Sequence, residues 1–296
     1  MKLLLLGKGG QVGWELQRSL APLGELVALD FDSIDFHADF SRPEELADTV
    51  LKVRPDVIVN AAAHTAVDKA ESEPEFARKL NATSPGVVAE AAQKIGALMV
   101  HYSTDYVFDG SGTKPWKEDD ATGPLSVYGQ TKLEGEQLVA RNCAKHLIFR
   151  TSWVYAARGG NFAKTMLRLA KERDKLTVID DQFGAPTGAE LLADVTAHAI
   201  RATLQDSSKA GLYHAIAGGE TTWHGYARFV LELAQQAGVE LKAGPNAVEA
   251  VPTSAFPTPA KRPHNSRLDT TKLQTTFGLR LPPWQEGVSR MLREIL

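Results

Sequence analysis

Tyr128 and Lys132 form the residue pair whose types and spacing best suit proton transfer. They lie four positions apart in Tyr128-Gly129-Gln130-Thr131-Lys132, so on a helix they share one face. A free tyrosine has a pKa of about 10, which is roughly 4 kcal/mol from ionisation at neutral pH. A neighbouring ammonium favours the phenolate and is predicted to lower that pKa, so that Tyr128 can exchange a proton near physiological pH. The same spacing is common on surface helices, so its meaning depends on what surrounds it.

A glycine-rich turn near the start of the chain predicts a site for a dinucleotide. The segment Gly7-Lys8-Gly9-Gly10-Gln11-Val12-Gly13 follows an apolar strand and opens a helix. Gly7, Gly10 and Gly13 allow a tight turn, close backbone approach to a diphosphate and tight helix–sheet packing, while the helix N-terminus supplies N–H groups. The alternative is a glycine-rich turn that binds nothing, but the strand–turn–helix context favours the dinucleotide site.

Asp30 ends the second predicted strand, where an acid would accept the adenosine ribose hydroxyls. Its carboxylate would repel a 2′-phosphate, and no basic residue follows in the next four positions. This arrangement favours NADH, or the use of both NADH and NADPH.

Hydroxyl and carboxylate side chains follow the fourth predicted strand, in Ser103-Thr104-Asp105. Ligands of open α/β sheets bind outside the carboxyl ends of the strands. The glycine turn, these polar side chains and the Tyr128/Lys132 pair are therefore expected to meet at one crevice.

The elements that position these residues are predicted by alternating short apolar runs and amphipathic stretches. In the first half, strands at 2–6, 26–29, 57–60, 97–102 and 147–150 alternate with helices at 11–20, 43–52, 85–94 and 128–142. This alternation predicts an α/β fold with a Rossmann-like, doubly wound parallel sheet, in which residues 1–150 form a dinucleotide-binding domain. Residues 151–296 are predicted to form a smaller, loop-rich substrate domain. Two further predicted strands, near 176–180 and 212–216, are candidates to return to the first sheet.

Composition excludes several classes of protein. The 296 residues carry 33 basic and 36 acidic side chains, a net charge of -3, which argues against binding nucleic acid or a membrane surface. No apolar run is long enough to span a membrane. Cys143 is the single cysteine, which fits a reducing compartment and predicts a cytoplasmic location. The eight histidines show no zinc-ligand spacing, and no serine-hydrolase motif is present.

Candidates in the second half are weighed against structural roles. Arg262 belongs to a local basic cluster and suits either a diphosphate clamp or a solvated loop. Asn161 and Phe162 begin a helix that could face the same nucleotide, with core packing of Phe162 as the alternative. Trp153 follows the fifth strand, where contact with a sugar is favoured over burial in the core.

Longer segments at 64–71, 103–110, 150–155, 182–187 and 262–266 carry a resemblance that runs from residue 7 to beyond 260. With the glycine turn, the segment 60–63, Asn81 and the Tyr128/Lys132 pair, they resemble the extended short-chain dehydrogenase/reductase superfamily. Within it, they are similar to the dTDP-4-dehydrorhamnose reductase family.

This resemblance implies reduction of the C4 ketone of dTDP-4-dehydro-6-deoxy-L-mannose to dTDP-L-rhamnose, the last step of that sugar-nucleotide pathway. It implies that Tyr128 is the general acid, that Lys132 holds the nicotinamide ribose and tunes Tyr128, and that Thr104 bonds the reacting oxygen. The implied sugar contacts are Thr104, Asp105 and Trp153. The implied cofactor contacts are Gly10, Gln11, Val12, Asp30, Asp39, Phe40, Ala62, Ala63, His64, Thr65 and Tyr102. Reductases of this family are usually named for NADPH, so the cofactor preference of a chain with Asp30 stays open.

The resemblance also bears on assembly, because family members can form homodimers around a divalent ion held by glutamates. Glu15, Glu190 and Glu294 stand at the matching positions, which implies a structural Mg²⁺. Solvated acids on helix surfaces are the alternative.

Other functions compete with the reductase. A 4,6-dehydratase needs an acid after the Thr-Asp pair, where this chain has Tyr106. Another NDP-sugar reductase or a 4-epimerase would use the same tyrosine and lysine. A non-catalytic regulatory subunit of the same fold, of the methionine adenosyltransferase type, is the alternative from another class. The intact set of Tyr128, Lys132 and Thr104 favours the reductase.

Overall fold

Continuously apolar runs form the strands of the main sheet, as expected for parallel strands that are buried on both faces. The computed structural model describes residues 1–296. Its strands are β1 (Lys2–Leu6), β2 (Glu25–Leu29), β3 (Val57–Asn60), β4 (Leu98–Thr104), β5 (His146–Thr151), β6 (Val154–Tyr155), β7 (Leu176–Ile179), β8 (Phe183–Gly184), β9 (Thr187–Gly188), β10 (Gly211–His214), β11 (Thr221–Thr222) and β12 (Val248–Val251). Six of them form one parallel sheet in the order β10-β5-β4-β3-β1-β2. The doubly wound parallel sheet predicted from the sequence is therefore confirmed.

Helices occupy the amphipathic stretches between the strands. They are α1 (Gln11–Leu20), α2 (Pro43–Val53), α3 (Val67–Ser72), α4 (Pro74–Arg78), α5 (Ser84–Ile95), α6 (Val127–Asn142), α7 (Phe162–Glu172), α8 (Ala189–Gln205), α9 (Trp223–Gln236), α10 (Thr271–Phe277) and α11 (Trp284–Ile295). A short π-helical turn, Lys79–Thr83, joins α4 to α5. None of the helices combines the length and the apolar character that crossing a membrane requires.

Two apolar layers cover the two faces of the sheet. Leu3 and Leu5 of β1 belong to a cluster that includes residues of α1 and α8. Leu4 and Leu6 belong to a second cluster, with residues of α2, α5 and α6. Successive side chains of a strand point to opposite faces, so two of the four leucines pack into each apolar layer. Because α8 comes from the second half of the chain, that half completes the cover of the sheet.

The remaining segments form a further apolar cluster, in which α7, α9 and α11 pack around the paired strands β7 and β12. Of the two strands expected to return to the main sheet, β10 does so beside β5. The expectation for the strand near 176–180 is wrong, because β7 pairs with β12 instead. β12 reads Val-Glu-Ala-Val, and an apolar run of four residues that is interrupted by a glutamate is too short to mark a strand by its pattern.

The strand order also places the site. β1 has β2 on one side and β3 on the other, so the path of the chain reverses between β1 and β3. Ligands of such sheets bind outside the carboxyl ends of the strands at this point. Gly7 follows β1, Ala61 follows β3 and Thr104 ends β4, so all three lie at the same edge.

Candidate active site

The glycine turn after β1 brings the backbone against the neighbouring strand end. Gly7 adopts a φ of 86°, and a Cβ built there would lie 2.7 Å from the Ala62 nitrogen. A Cβ on Gly13 would overlap the Gly7 carbonyl oxygen. Gly10 is the N-cap of α1 and brings no side-chain capping bond, so the first N–H groups of the helix are available to a ligand. This geometry suits the diphosphate of a dinucleotide.

Asp30 lies beside this turn, just after β2. Its carboxylate accepts a hydrogen bond from the Gly9 N–H at 2.7 Å. The acid is thus held where the adenosine ribose of a dinucleotide would lie. In the loop that follows, Asp39 accepts the Ser41 N–H at 2.8 Å and Phe40 is buried. Phe40 packs in the apolar core on one face of the sheet, so its side chain supports this loop from below.

The loop after β3 lies on the other side of β1 from Asp30, and it is tied to α6. His64 is buried, and its N–H donates to the side chain of Asn81 at 2.8 Å. The Asn81 amide in turn donates to Thr131 Oγ1 on α6 at 3.1 Å. Asn81 therefore fixes the distance between this loop and the helix that carries Tyr128 and Lys132.

The other predicted cofactor contacts lie in the first turn of α1 or in the loop after β3. These are Gln11 and Val12, and Ala62, Ala63 and Thr65. Val12 packs against the core of the sheet. The side-chain oxygen of Gln11 is buried without a hydrogen-bond partner, which leaves a polar atom that a bound dinucleotide could satisfy.

Tyr102 has its side chain and its backbone carbonyl in different surroundings. Its side chain lies in the core of the sheet, with the hydroxyl 2.6 Å from Thr196 Oγ1 on α8. Only the carbonyl of Tyr102 faces the site, where it accepts a hydrogen bond from Lys132 Nζ at 2.5 Å. The side chain points away because residues alternate along β4, and the sequence pattern assigns position 102 to the core face.

The helix α6 carries Tyr128 and Lys132 and begins immediately before them. Ser126 caps it by accepting the Gly129 N–H at 3.2 Å. Glu71 of α3 also accepts the Val127 N–H at 2.9 Å. A helix start with two acceptors is well fixed, so the first turn holds Tyr128 in place against β4.

In the chain alone, the pKa of Tyr128 lies above its ordinary value. Burial, reinforced by the charge of Asp105, raises the pKa of Tyr128 to about 12, against an opposing hydrogen bond with Thr104. The Lys132 ammonium does not reverse this shift, and it is hydrogen-bonded to a backbone carbonyl. Burial also lowers the pKa of Lys132 to about 8, opposed by the charge of Glu136. Tyr128 is thus a protonated phenol at neutral pH, the form that donates a proton.

Thr104 and Asp105 form a buried polar pair at the end of β4. Thr104 Oγ1 donates to Asp105 Oδ1 at 3.0 Å. The second oxygen of Asp105, Oδ2, is buried and has no partner. Burial raises the pKa of Asp105 to about 6, although the nearby side chains of Ser266 and Thr104 oppose the shift. An acceptor that is buried and unpartnered suits a ligand hydroxyl.

Beneath α6, an ion pair supports the site from the core. Arg150, at the end of β5, donates to both oxygens of Glu136, at 2.9 and 2.7 Å. Both side chains are buried, and Glu136 lies one helical turn after Lys132. The pair links β5 to the helix on which the predicted catalytic residues stand.

An aromatic stack lies on the side of the C-terminal segments. Trp153 has a φ of 49°, one of two non-glycine residues with a positive value. Its ring stacks on Trp223 at a centroid distance of 3.7 Å, and Phe162 lies 4.6 Å from Trp223. Phe162 therefore takes part in aromatic packing, the alternative weighed for it from the sequence.

Asn161 is used within its own loop. Its side-chain oxygen caps α7 by accepting the Lys164 N–H at 3.1 Å, and its amide donates to the Ala156 carbonyl at 2.7 Å. Both ends of the side chain are therefore engaged, which does not favour the predicted contact between Asn161 and a nucleotide.

Arg262 is neither an unpaired cation nor part of a solvated loop. Its guanidinium forms a bidentate pair with Asp68 of α3, at 2.7 and 3.1 Å. The pair ties the C-terminal loop to α3 and so closes one end of the site. A diphosphate would have to share this arginine with Asp68.

Glu15, Glu190 and Glu294 do not form a metal site. Arg290 Nε lies 3.4 Å from Glu190 and 3.7 Å from Glu294, and Glu15 lies 3.5 Å from Arg18. No group of three acidic, histidine or cysteine side chains in the chain is arranged to hold a metal ion. The predicted Mg²⁺ is therefore not supported, because arginines already neutralise these glutamates.

Two residues of the site are not singled out by the sequence analysis. Trp223 stacks on Trp153 although 70 positions separate them. Glu71 caps α6 from α3, but within a run of acids it reads as an exposed helix start. The only available signal for Trp223 is its residue type, a large aromatic side chain, and for Glu71 there is none.

Comparisons with known proteins place the chain among sugar-nucleotide reductases. The family model described as the RmlD substrate binding domain matches residues 1–296. A relative from Shigella flexneri named dTDP-4-dehydrorhamnose reductase is 66% identical over 295 residues, covering 100% of this chain and 98% of the relative.

Solved structures give the same picture. A dTDP-4-dehydrorhamnose reductase from Clostridium acetobutylicum superposes with a TM-score of 0.90 at 37% identity, covering 100% of this chain and 99% of that one. A dTDP-4-dehydrorhamnose reductase from Bacillus anthracis, in complex with NADP, has a TM-score of 0.87 at 34% identity and covers 99% of both chains. The alternatives weighed from the sequence, a regulatory subunit or an epimerase, gain no support from these relatives.

Proposed function

The chain belongs to the dTDP-4-dehydrorhamnose reductase family, and from that premise we propose how its own residues carry the reaction. The proposed reaction is the reduction of the C4 ketone of dTDP-4-dehydrorhamnose to dTDP-L-rhamnose, with NADH or NADPH as reductant. The observation that carries it is the position of Tyr128 and Lys132 at the start of α6, beside Thr104 and Asp105 at the end of β4, at the sheet edge where the glycine turn lies.

Tyr128 and Thr104 act on the oxygen of the ketone. When bound, the cofactor supplies the hydride that adds to C4 of the sugar. Thr104, whose hydroxyl bonds Asp105 in the free chain, turns that hydrogen bond to the C4 oxygen and holds it near the phenol. Tyr128 gives its proton to that oxygen as negative charge develops there. A raised pKa suits this role, because the residue must enter the reaction protonated. Alignment of the reacting groups by the crevice supplies a large share of the rate.

Lys132 holds the nicotinamide ribose and replaces the proton of Tyr128. Its ammonium is buried at the Tyr102 carbonyl, one turn after Tyr128 on the same helix face. With a pKa of about 8 it is mostly charged at neutral pH, yet it gives up a proton more readily than a free lysine. Both properties suit a residue that binds hydroxyls and relays a proton.

The cofactor side is proposed to consist of backbone and short side chains. The glycine turn and α1 hold the diphosphate, Asp30 holds the adenosine ribose, and the loop after β3 lines the nicotinamide half. Three observations support this: the steric closeness at Gly7 and Gly13, the orphaned Gln11 oxygen and the position of Asp30 beside Gly9. The residues fit either dinucleotide, and the preference between NADH and NADPH is part of the test.

The sugar-nucleotide side is proposed to be built from side chains of both halves of the chain. Asp105 Oδ2 accepts a sugar hydroxyl, and Trp153 lies against the sugar with Trp223 behind it. Residues 1–150 then form the cofactor half and residues 151–296 the sugar half, with α8 and β10 completing the sheet. A homodimer and a cytoplasmic location stay predictions, which sedimentation and cell fractionation would test.

The test is an assay of the purified chain with dTDP-4-dehydrorhamnose and each cofactor. Loss of the absorbance of reduced nicotinamide, with dTDP-L-rhamnose identified by NMR, is the expected result. An epimerase would instead interconvert sugar isomers without net use of the cofactor. A protein that neither oxidises NADH or NADPH nor binds either dinucleotide would overturn the proposal.

A further inference from the structure

A loop from the second half of the chain lies on the glycine turn. Arg158 Nε donates a long hydrogen bond to the Gly9 carbonyl, at 3.4 Å. The guanidinium carbon stands 4.0 Å from the ring centre of Trp14 on α1. A Cβ on Gly159 would lie 3.5 Å from the side chain of Gln11. The loop 156–160 thus covers the start of α1 from the sugar half of the molecule.

The loop is held in this position by the first turn of α7. The Asn161 amide donates to the Ala156 carbonyl at 2.7 Å. Lys164 Nζ donates to the Gly159 carbonyl at 2.9 Å, and also to the carbonyl of Ala157. Carbonyls on both sides of Arg158 are therefore fixed by α7, so the fold sets where the exposed guanidinium stands.

Arg158 differs from Arg262, for which the sequence analysis weighs a diphosphate clamp, and from the neighbouring Arg267. Arg262 is neutralised by Asp68 at 2.7 Å and Arg267 by Glu220 at 2.6 Å. Arg158 makes no ion pair, and its contact with Gly9 uses only Nε. The two terminal nitrogens stay available, and no acidic residue stands in the first turn of α1. An uncompensated cation thus lies beside a helix N-terminus, where the field is already positive.

We propose that Arg158 is a cofactor-binding residue, whose guanidinium pairs with a phosphate group of the bound dinucleotide across the glycine turn. The inference rests on the proposed function, because it assumes that the turn holds a dinucleotide. The planar fork of an arginine matches two phosphate oxygens and forms short, charge-assisted hydrogen bonds. The cation comes from residues 151–296, so binding of the cofactor engages both halves of the chain.

Two phosphates of the cofactor have the required chemistry. The diphosphate is common to NADH and NADPH, and the 2′-phosphate belongs to NADPH alone. Gly9 lies between the two charges, since its N–H bonds Asp30 and its carbonyl bonds Arg158. Arg158 and Asp30 thus contact the same residue of the turn, and the comparison of the two cofactors identifies the phosphate.

The experiment measures the Kd of NADH and of NADPH by calorimetry for the wild type, Arg158→Gln and Arg168→Gln. Arg168 is the matched control, because it is an exposed arginine of α7 that pairs with Glu172 at 3.0 Å, away from the turn. We expect Arg158→Gln to raise Kd about tenfold, the loss of one charge-assisted contact, and Arg168→Gln to change it little.

The outcomes separate the phosphates and the two proposals. An equal rise for both cofactors assigns Arg158 to the diphosphate, and a larger rise for NADPH assigns it to the 2′-phosphate. An unchanged Kd for both cofactors, in a variant with the wild-type Tm, overturns the inference. If the wild type itself binds neither dinucleotide, the proposed function fails, and that result is distinct from an effect of Arg158.

Discussion

The two sides of the crevice are built in different ways. On the cofactor side, the fit depends on backbone that a Cβ would disturb, as at Gly7 and Gly13. On the sugar side, it depends on side chains that bond each other, such as Thr104 with Asp105, and on contacts between distant segments, such as Trp153 with Trp223. The first side is sensitive to added volume, and the second is sensitive to the loss of a particular functional group.

The largest effect is expected on the sugar side of the site, where Tyr128→Phe removes only the hydroxyl. We expect kcat to fall about 10²–10⁴-fold, the usual contribution of a general acid. The Kd of the dinucleotide should stay near the wild-type value, because the ring and Lys132 remain. Steady-state kinetics test the fall in kcat, and calorimetry on the same preparation tests the unchanged Kd. An unchanged kcat would remove Tyr128 from the mechanism.

The cofactor side, where the fit depends on close backbone contacts, is tested by Gly7→Ala, which adds a single methyl group. The residue has a φ of 86°, and its Cβ would lie within 2.9 Å of backbone atoms of Ala61 and Ala62. We expect a loss of about 1–3 kcal/mol in the free energy of unfolding and at least a tenfold rise in the Kd of the dinucleotide.

Gly96→Ala is the matched control, since Gly96 has a φ of 74° but open space around its Cβ position. It should show the cost of backbone conformation alone, with normal cofactor affinity. If the two variants behave alike, close approach at Gly7 has no special role and the comparison between the two sides fails.

The pH dependence of kcat/KM is a third test, directed at the buried charges. Asp105, with a pKa of about 6, must ionise to accept a sugar hydroxyl, so kcat/KM should rise with pH through about 6. Lys132, with a pKa of about 8, loses its charge above that value, so kcat/KM should then fall. Asp105→Asn should remove the acid limb and lower kcat/KM about tenfold at pH 8. An acid limb that persists in the variant would exclude Asp105 as its source.

Asp105→Asn should also stabilise the folded protein. The effect of this residue on stability is therefore opposite to its effect on ligand binding. The folded-state pKa of Asp105 lies above its usual value of 3.8, so the folded state binds this proton more tightly than the unfolded state. Stability from this group therefore falls as pH rises between about 4 and 6. Asp105→Asn should be more stable than the wild type by about 1–3 kcal/mol at pH 8, with little gain at pH 4. Thermal unfolding at both pH values would detect the difference, and a variant less stable at pH 8 would contradict it.

The smallest effect is expected for Asp30→Ala, which removes the carboxylate that lies beside the glycine turn. Loss of the carboxylate removes repulsion of a 2′-phosphate as well as a ribose contact. The ratio of kcat/KM for NADH to that for NADPH should fall about threefold or more. A constant ratio would mean that Asp30 does not face the adenosine ribose.

The sequence predicts the cofactor side of the site better than the sugar side, for a physical reason. Strand β1, the glycine turn and α1 are contiguous, so local pattern determines them, and the parallel sheet follows from repeated alternation of strands and helices. The stack of Trp153 on Trp223 depends on how α9 packs, which no local pattern contains. The pKa of Tyr128 is also beyond the sequence, because its direction is set by burial and by Asp105 rather than by Lys132.

The return of β10 to the main sheet has a consequence for synthesis on the ribosome. A nascent chain that ends near residue 150 has all five earlier strands of the sheet, but β5 has an open edge and one face lacks α8. Exposed strand edges and uncovered apolar faces favour aggregation. Translation must therefore proceed beyond residue 214 before the sheet can close. Until then, the half that we propose to hold the cofactor keeps an open strand edge and an uncovered apolar face, even though its own residues were made first.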